Sequence, residues 1–380
     1  MIPNFVEIKN FNIMKTSLHE HLQWLPDPRT NNKQHLLIDV IILTIIAVIS
    51  GANSWDSIEI YANKKKDFLS KILELPNGIP SHDTINRIIS SLHVEKFNAL
   101  FIDWVNSIKN NNILKEVIAI DGKALRRSKD SFHEQPAIHI VNAWASSNEL
   151  VLGQLKTADK SNEITAIPLL LNLLDIKDSI ITIDAMGTQK EIAETIIKAE
   201  ADYILALKGN QGYLNDNVRN QFNVQKIAST YEMVEKNRGR IETRKCEVIT
   251  NLEYLNDISG WKGLKSIVKI TAIREVKEKK SVEERFYISS LLDEAKNYNS
   301  YIRQHWGVEN SLHWTLDMTF GEDYQRKRKK KAAQNFSLIQ KFALNLLRKE
   351  KSTKASLVSK RLMAGWDDEY LMKILGVHMR

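Results

Sequence analysis

The chain has 380 residues, a formal charge of +8, and 43% hydrophobic against 26% charged residues, close to an average globular protein. That length suits two or three structural units around a sizeable core, and the composition excludes a largely disordered or collagen-like chain. The single cysteine, Cys246, excludes an intramolecular disulfide.

Met1–Asn12 lacks the basic start, apolar run and small-residue cleavage site of a secretory signal. Leu36–Ala52 is shorter than the ~20 residues that span a bilayer and is interrupted by Asp39, Thr44 and Ser50, so it reads as a buried helix. Ser54–Leu75 and Val94–Lys109 carry apolar residues at three and four spacing, again helical. Between them, Pro76–Thr84 is a turn cluster, with Ser81 or Asp83 as the cap of a helix from Thr84 to Leu92.

The pattern changes at Val117. Val117–Ile120 reads as a strand that ends at Asp121, and Ala137–Ser146 and Glu149–Lys156 read as two more strands around the turn Ser147-Asn148. A helix over Asn162–Leu174 capped by Ser161, a strand Ser179–Ile183 ending at Asp184, a helix Thr188–Glu200 and a strand Asp202–Leu207 follow. The order predicts a mixed α/β sheet, a hairpin portion first and parallel pairing after it. From Asn210 to about Leu292 the alternation stops. Arg244–Thr250, Leu264–Arg274 and Arg285–Ser290 read as strands of a mostly β insertion. A long helix from Asn297 carries Trp306, Glu309 and His313, and Gln334–Lys349 has an apolar stripe that either packs on its own sheet, the expectation, or docks a partner.

Charge is uneven. Tyr301–Arg380 holds 16 Lys and Arg against 8 Asp and Glu, centred on Arg326, Lys327, Arg328, Lys329, Lys330 and Lys331. Six adjacent cations repel one another, and a polyanion would relieve that repulsion and release counterions. A solvated surface segment accounts equally for the run taken alone.

Asp121 and Asp184 each close a β-branched strand, at the sheet edge where ligands of open α/β folds gather. If the strands are neighbours, the two anions need a cation between them. Hard carboxylate oxygens suit Mg²⁺, and two ions about 3.5–4 Å apart can clamp both oxygens of a phosphoryl displacement. Glu309 offers a third acid, with His305 and His313 on the same helical face; Asp317, Glu322 and Asp323 compete for that role. For either Asp taken alone a turn or cap role is the plainer reading, and His139 reads as a core histidine.

Ala119–Ser128 (AIDGKALRRS) resembles the first catalytic segment of insertion-sequence DDE transposases of the H-repeat-associated type. Lys160–Pro168, Thr182–Gly187, Ala206–Gln211 and Trp306–Trp314 are similar to later blocks, and Ile79–Thr84 to the family's N-terminal associated domain. The resemblance covers about Asp27 to Arg348. It implies a ribonuclease H-like mixed sheet with flanking helices, a β-rich insertion before the last catalytic helix, and a helical N-terminal domain. The implied division is an extension over 1–26, a helical, DNA-binding associated domain over 27–112, a catalytic domain over 113–350 with its insertion at about 210–292, and a basic tail over 351–380.

The resemblance makes Asp121, Asp184 and Glu309 both catalytic and metal-binding, with Mg²⁺ or Mn²⁺, as two ions, the cofactor. In the broader group an Arg lies four positions before the third acid and a Lys seven after; His305 and Leu316 stand there, and Tyr301 is one position off the group's Tyr. DNA contacts are assigned instead to Lys123, Arg126, Arg127, Lys208, Asn210, Arg303, Arg326, Lys327, Arg328, Lys329, Lys330 and Lys331. The implied activity is cleavage at element ends to a free 3′-OH, which then attacks target DNA. Implied partners are double-stranded DNA and a second copy in a synaptic homodimer, with no membrane, in the bacterial cytoplasm at the nucleoid. A catalytically silent, transposase-derived DNA-binding protein and a metal-dependent nuclease without strand transfer are the alternatives.

Overall fold

The computed structural model describes residues 17–376 except 32, 130–135, 158–162, 238, 257 and 278. The N-terminal stretch read for a signal, and Ser161 with its predicted cap, lie outside the described residues. What is described divides into two compact units. One gathers Met1–Trp104, Arg127–Pro136 and Leu316–Arg380; the other gathers Val105–Arg126 and Ala137–Thr315.

The first unit is helical. Its chain begins with α1 (Ser17–Leu22) and α2 (Leu37–Ile49). α2 is buried from Asp39 to Ile49, as an apolar segment too short for a membrane must be. Its one charge is accommodated because Asp39 accepts the Leu75 backbone N–H at 2.8 Å, while burial still raises its carboxyl above the ordinary range. The predicted helix Ser54–Leu75 is two pieces, α3 (Trp55–Lys64) and α4 (Lys66–Leu69). Ser54 caps α3 in a reciprocal capping box with Ser57. α5 (His82–Ser91) is capped by Ser81, whose oxygen accepts from Thr84, so Ser81 and not Asp83 ends the turn. α6 (Val94–Ile108) follows and runs across the boundary between the units.

The second unit is one nine-stranded sheet with helices. Its strands are β1 (Val117–Leu125), β2 (Ile138–Ala145), β3 (Leu150–Lys156), β4 (Ile180–Ile183), β5 (Asp202–Leu207), β6 (Ser229–Asn237), β7 (Arg240–Ile249), β8 (Ser266–Val276) and β9 (Lys279–Ser289). The order is β3-β2-β1-β4-β5-β9-β8-β7-β6. β1, β2 and β3 are antiparallel and β1, β4 and β5 parallel, the ribonuclease H-like mixed sheet. β9 pairs antiparallel with β5, so the inserted strands extend this sheet. α7 (Glu163–Leu173), α8 (Lys190–Lys198) and α9 (Gly212–Val224) link strands, and α10 (Ala295–His305) lies across β1, β4 and β6–β8. Val117, Ile180, Ile204, Cys246, Val268 and Tyr287 from the sheet and Tyr298 and Ile302 from α10 form one buried cluster, which fixes where α10 ends.

The remaining helices are α11 (Trp314–Met318), α12 (Ala332–Lys349), α13 (Leu357–Trp366) and α14 (Asp368–Ile374). α12 belongs to the helical unit. It packs on α2 and α5, with Phe342 against Phe97, Phe101 and Trp104. The reason is α2, an apolar helix that needs apolar cover on every side. No helix among the described residues is long and apolar enough to cross a membrane.

Glu322, one competitor for the third acid, is 3% exposed; its Oε1 accepts from Ser337 at 2.8 Å and lies 3.8 Å from Lys341 Nζ, itself buried on α12. It is a structural ion pair of the helical unit. Lys341→Ala would break this buried pair, and urea unfolding should show a loss of about 3–5 kcal/mol.

Candidate active site

Strand register brings the first two acids together. β1 and β4 pair in parallel from Val117↔Ile180 to Ile120↔Ile183, so Asp121 and Asp184 are the next residues of adjacent strands. Neighbouring strands lie about 4.8 Å apart, so two carboxylates in step must crowd one another. Asp121 does not end its strand as expected. β1 runs to Leu125 because β2 continues to pair with it, and Asp121 marks only where the parallel pairing stops.

The electrostatic cost is concentrated on Asp121. Burial, then the charge of Asp184, push its carboxyl up to about 7, with Glu309 and Glu163 adding smaller repulsions. The Gly122 N–H donated to Asp121 Oδ1 at 2.9 Å opposes this. His313 Nδ1 lies 3.5 Å from Asp121 Oδ2, and its Nε2 lies 3.4 Å from the Asn142 amide on β2. Asp184 accepts the Gly187 N–H at 3.3 Å. The 184–188 loop is held from below: Thr188 donates to the Ala206 carbonyl at 2.6 Å, Asn210 to Ala185 and Gln211 to Thr188.

Glu309 arrives from the end of α10. Val308–His313 is a π-helical turn, not a continuation of the α-helix the four-residue spacing predicts. Such turns are rare and cluster at functional sites. His305 still faces the sheet, its Nδ1 3.0 Å from Thr182 Oγ1 on β4, and burial holds its imidazole below the ordinary value. Asp121, Asp184 and Glu309 line one cavity of about 160 Å³, together with Lys208, Arg285 and Trp306. Arg285 stacks 4.7 Å over the Trp306 ring and is clamped by Glu283.

The three acids are hard oxygen donors of the kind Mg²⁺ or Mn²⁺ takes, and their mutual repulsion is what a divalent cation relieves. Among the described residues no three His, Cys, Asp or Glu side chains converge closely enough to enclose an ion as they stand.

The proposed DNA contacts separate into groups. Arg126, Arg127, Lys208, Arg326, Arg328, Lys329, Lys330 and Lys331 are exposed. Lys123 is half-buried in β1. Lys327 departs from its run. It is 6% exposed, donates to the Asn53 carbonyl at 2.7 Å and lies 3.7 Å from the Phe336 ring centroid. Burial pushes its ammonium down to about 7. Arg303 is held by Glu235 through two bonds of 2.8 and 2.7 Å, and the Asn210 amide braces the Asp184 loop. Two site residues were not assigned a role from sequence. His313 shares the face of Glu309, but nothing in sequence places it on Asp121. Glu163 lies in a family-like block, yet a lone Glu in a first helical turn signals only a helix start.

The fold is the ribonuclease H-like one, with Asp121 within β1, Asp184 directly after the adjacent β4 and Glu309 on the π-helical turn after α10. Residues 113–346 match the family model "Transposase DDE domain" and residues 19–105 the model "DDE_Tnp_1-associated". The chain belongs to the DDE transposase family, with relatives of the H-repeat-associated type. In Escherichia coli K12, "Putative protein YbfL" is 44% identical over 368 residues, and "H repeat-associated putative transposase YhhI" is 43% identical over 368; each covers 94% of this chain and 97% of the relative. "Putative transposase YncI" of Escherichia coli O157:H7 is 42% identical over 369 residues, 94% of each chain.

The crowding of Asp121 gives a pH signature without metal. Its carboxyl titrates near 7 in the folded chain and near 3.8 unfolded, so the folded state binds the extra proton between those values. Relative to Asp121→Asn, EDTA-treated wild-type protein should therefore lose stability as pH rises from about 4 to 7, by up to a few kcal/mol, at about 1.4 kcal/mol per pKa unit. Asp121→Asn should raise the melting temperature at pH 7.

Proposed function

We propose that this protein is a DNA transposase that cuts at insertion-sequence ends and transfers the resulting 3′-OH to target DNA, with Asp121, Asp184 and Glu309 as its metal-binding acids. The observation that carries the reading is the register Ile120↔Ile183, which sets two acids side by side at the wall that Glu309 also lines. Bound there, Mg²⁺ or Mn²⁺ supplies Lewis-acid charge to the phosphoryl oxygens and lowers the pKa of water.

The chain's own residues do the positioning. His313 and Gly122 orient the Asp121 carboxylate, and the Thr188–Ala206 and Asn210–Ala185 bonds hold the Asp184 loop. Lys208, exposed on the same cavity, provides positive charge facing a phosphodiester without reading sequence. Lys123, Arg126 and Arg127 extend from the first acid along the DNA backbone, and Arg326, Arg328, Lys329, Lys330 and Lys331 supply further charge to phosphates. Lys327, buried against Phe336, and Arg303, paired through two bonds with Glu235, are left out of that set. Two element ends call for two active sites, which favours a homodimer in the synaptic complex.

The test is cleavage of the element's own ends in Mg²⁺ or Mn²⁺. Asp121→Ala, Asp184→Ala and Glu309→Ala should each reduce cutting to background and leave DNA affinity intact. A Glu309→Ala protein that cuts normally, while Asp317→Ala does not, would reassign the third acid. Exposed and buried members of the basic run should also differ. Neutralising Arg326, Arg328 and Lys329–Lys331 should lower the slope of log affinity against log salt by about 0.9 for each DNA phosphate that is no longer neutralised. Lys327→Met should leave that slope unchanged.

A further inference from the structure

On one face of the inserted strands three guanidiniums gather. Register sets Arg244 of β7 opposite Ala272 of β8, and Ala272 opposite Glu283 of β9, two residues from Arg285. Side chains two apart on a strand share a face, so Arg244, Glu283 and Arg285 lie on the same side of the sheet. Arg303 meets that side from α10, through Glu235, which is paired in register with Glu242. Two of the three cations have a counter-ion, Arg303 in Glu235 at 2.7 Å and Arg285 in Glu283 at 2.8 Å. Arg244 has none. Among the described residues its one hydrogen bond is donated by Nε to Asn299 Oδ1 at 3.3 Å, and it forms no ion pair. The carboxylate of Glu242, on the same strand face, turns to Arg240 at 3.7 Å, and Ala272 offers no partner from β8.

Arg244 is half-buried. Burial holds its guanidinium below the ordinary value, and the charges of Arg303 and Arg285 lower it further. An arginine does not shed its proton in a protein. The folded chain therefore keeps a partly desolvated cation beside two others, an arrangement that costs stability until an anion arrives. Anchoring α10 does not explain the charge, since a neutral amide would donate to Asn299 as well.

We propose that Arg244 is a phosphate-binding residue of the β insertion, which takes a backbone phosphate of the DNA strand a few nucleotides from the one that is cut. This rests on the reading of the chain as a DNA transposase. A phosphodiester supplies the missing negative charge, and the guanidinium fork suits two of its oxygens. Arg285, on the same face, lines the cavity of the three acids, and β7 lies two strand spacings from β9, about 9–10 Å. A strand that leaves the cavity across β8 reaches Arg244. Such a contact positions the strand and does not read its sequence.

The test is binding of the full chain to a duplex carrying the element's own end, by fluorescence anisotropy over a series of salt concentrations in EDTA. Arg244→Gln keeps a donor for Asn299 and removes the charge. It should weaken binding about tenfold at low salt and lower the slope of log affinity against log salt by about 0.9, the share of one phosphate. Arg244→Lys keeps the charge and should keep the wild-type slope. Without DNA, Arg244→Gln should melt no lower than the wild type, because an unpaired charge has been removed, whereas a structural anchor would melt lower. An unaltered slope in Arg244→Gln, or an Arg244→Lys slope as low as that of Arg244→Gln, would overturn the assignment and leave the transposase reading standing. Stabilisation of the wild type but not of Arg244→Gln by inorganic phosphate, with no change in the DNA slope, would mark a small-anion site and overturn it too. A wild-type chain that does not bind the duplex would overturn the transposase reading and Arg244 with it.

Discussion

Parallel pairing of two short strands is the constraint on which the site depends. Four residues of β1 and four of β4, nearly all β-branched and fully buried, lock in register, and the next residue on each is an aspartate. A slip of one position would turn one of the acids to the other face of the sheet. The apolar core therefore fixes the distance between two like charges that would separate if free. The repulsion is stored in the folded chain, and Asp121, the more buried of the two, carries it.

Everything else at the site arrives on elements tied to the same sheet. α10 is seated by Tyr298, Asn299 and Ile302, with the Tyr298 hydroxyl donating to the Leu291 carbonyl at 2.7 Å. Its last turn is pinned by His305 on Thr182, two residues before Asp184. The π-helical turn then widens the helix where Glu309 and His313 must both reach inward. Gly307 is the close approach that allows this. A Cβ there would stand 3.2 Å from the Trp144 indole nitrogen on β2, so a larger residue would push the turn away from the sheet.

Much of this was legible in the sequence because burial on both faces leaves a plain signal. Val117–Ile120 and Ser179–Ile183 are short, largely β-branched runs and Asp202–Leu207 a mostly apolar one, and each is a central strand. What failed to show had weaker physics in one dimension. β6 carries Glu232, Glu235 and Lys236 because it is the edge of the sheet, and edge strands need not read as apolar. α9 is polar on most of its surface, and α12 looked like a helix for a sheet because its stripe does not say what lies opposite. The continuation of β1 past Asp121 is dictated by β2, a long-range partner. Glu163 and Lys327 show the limit most clearly. One is drawn into a gap that exists only because residue 122 lacks a side chain, and the other turns inward from a run of cations to meet aromatic rings.

The central claim is that Asp121, Asp184 and Glu309 are held by strand register and a π-helical turn so that one divalent cation can draw them together. Anomalous diffraction from Mn²⁺-soaked crystals addresses it directly. The account predicts a peak between the Asp121 and Asp184 carboxylates at about 2.0–2.2 Å from their nearest oxygens, with Glu309 turned towards it. A peak elsewhere in the chain, or none at saturating Mn²⁺ with both carboxylates ordered, would contradict it.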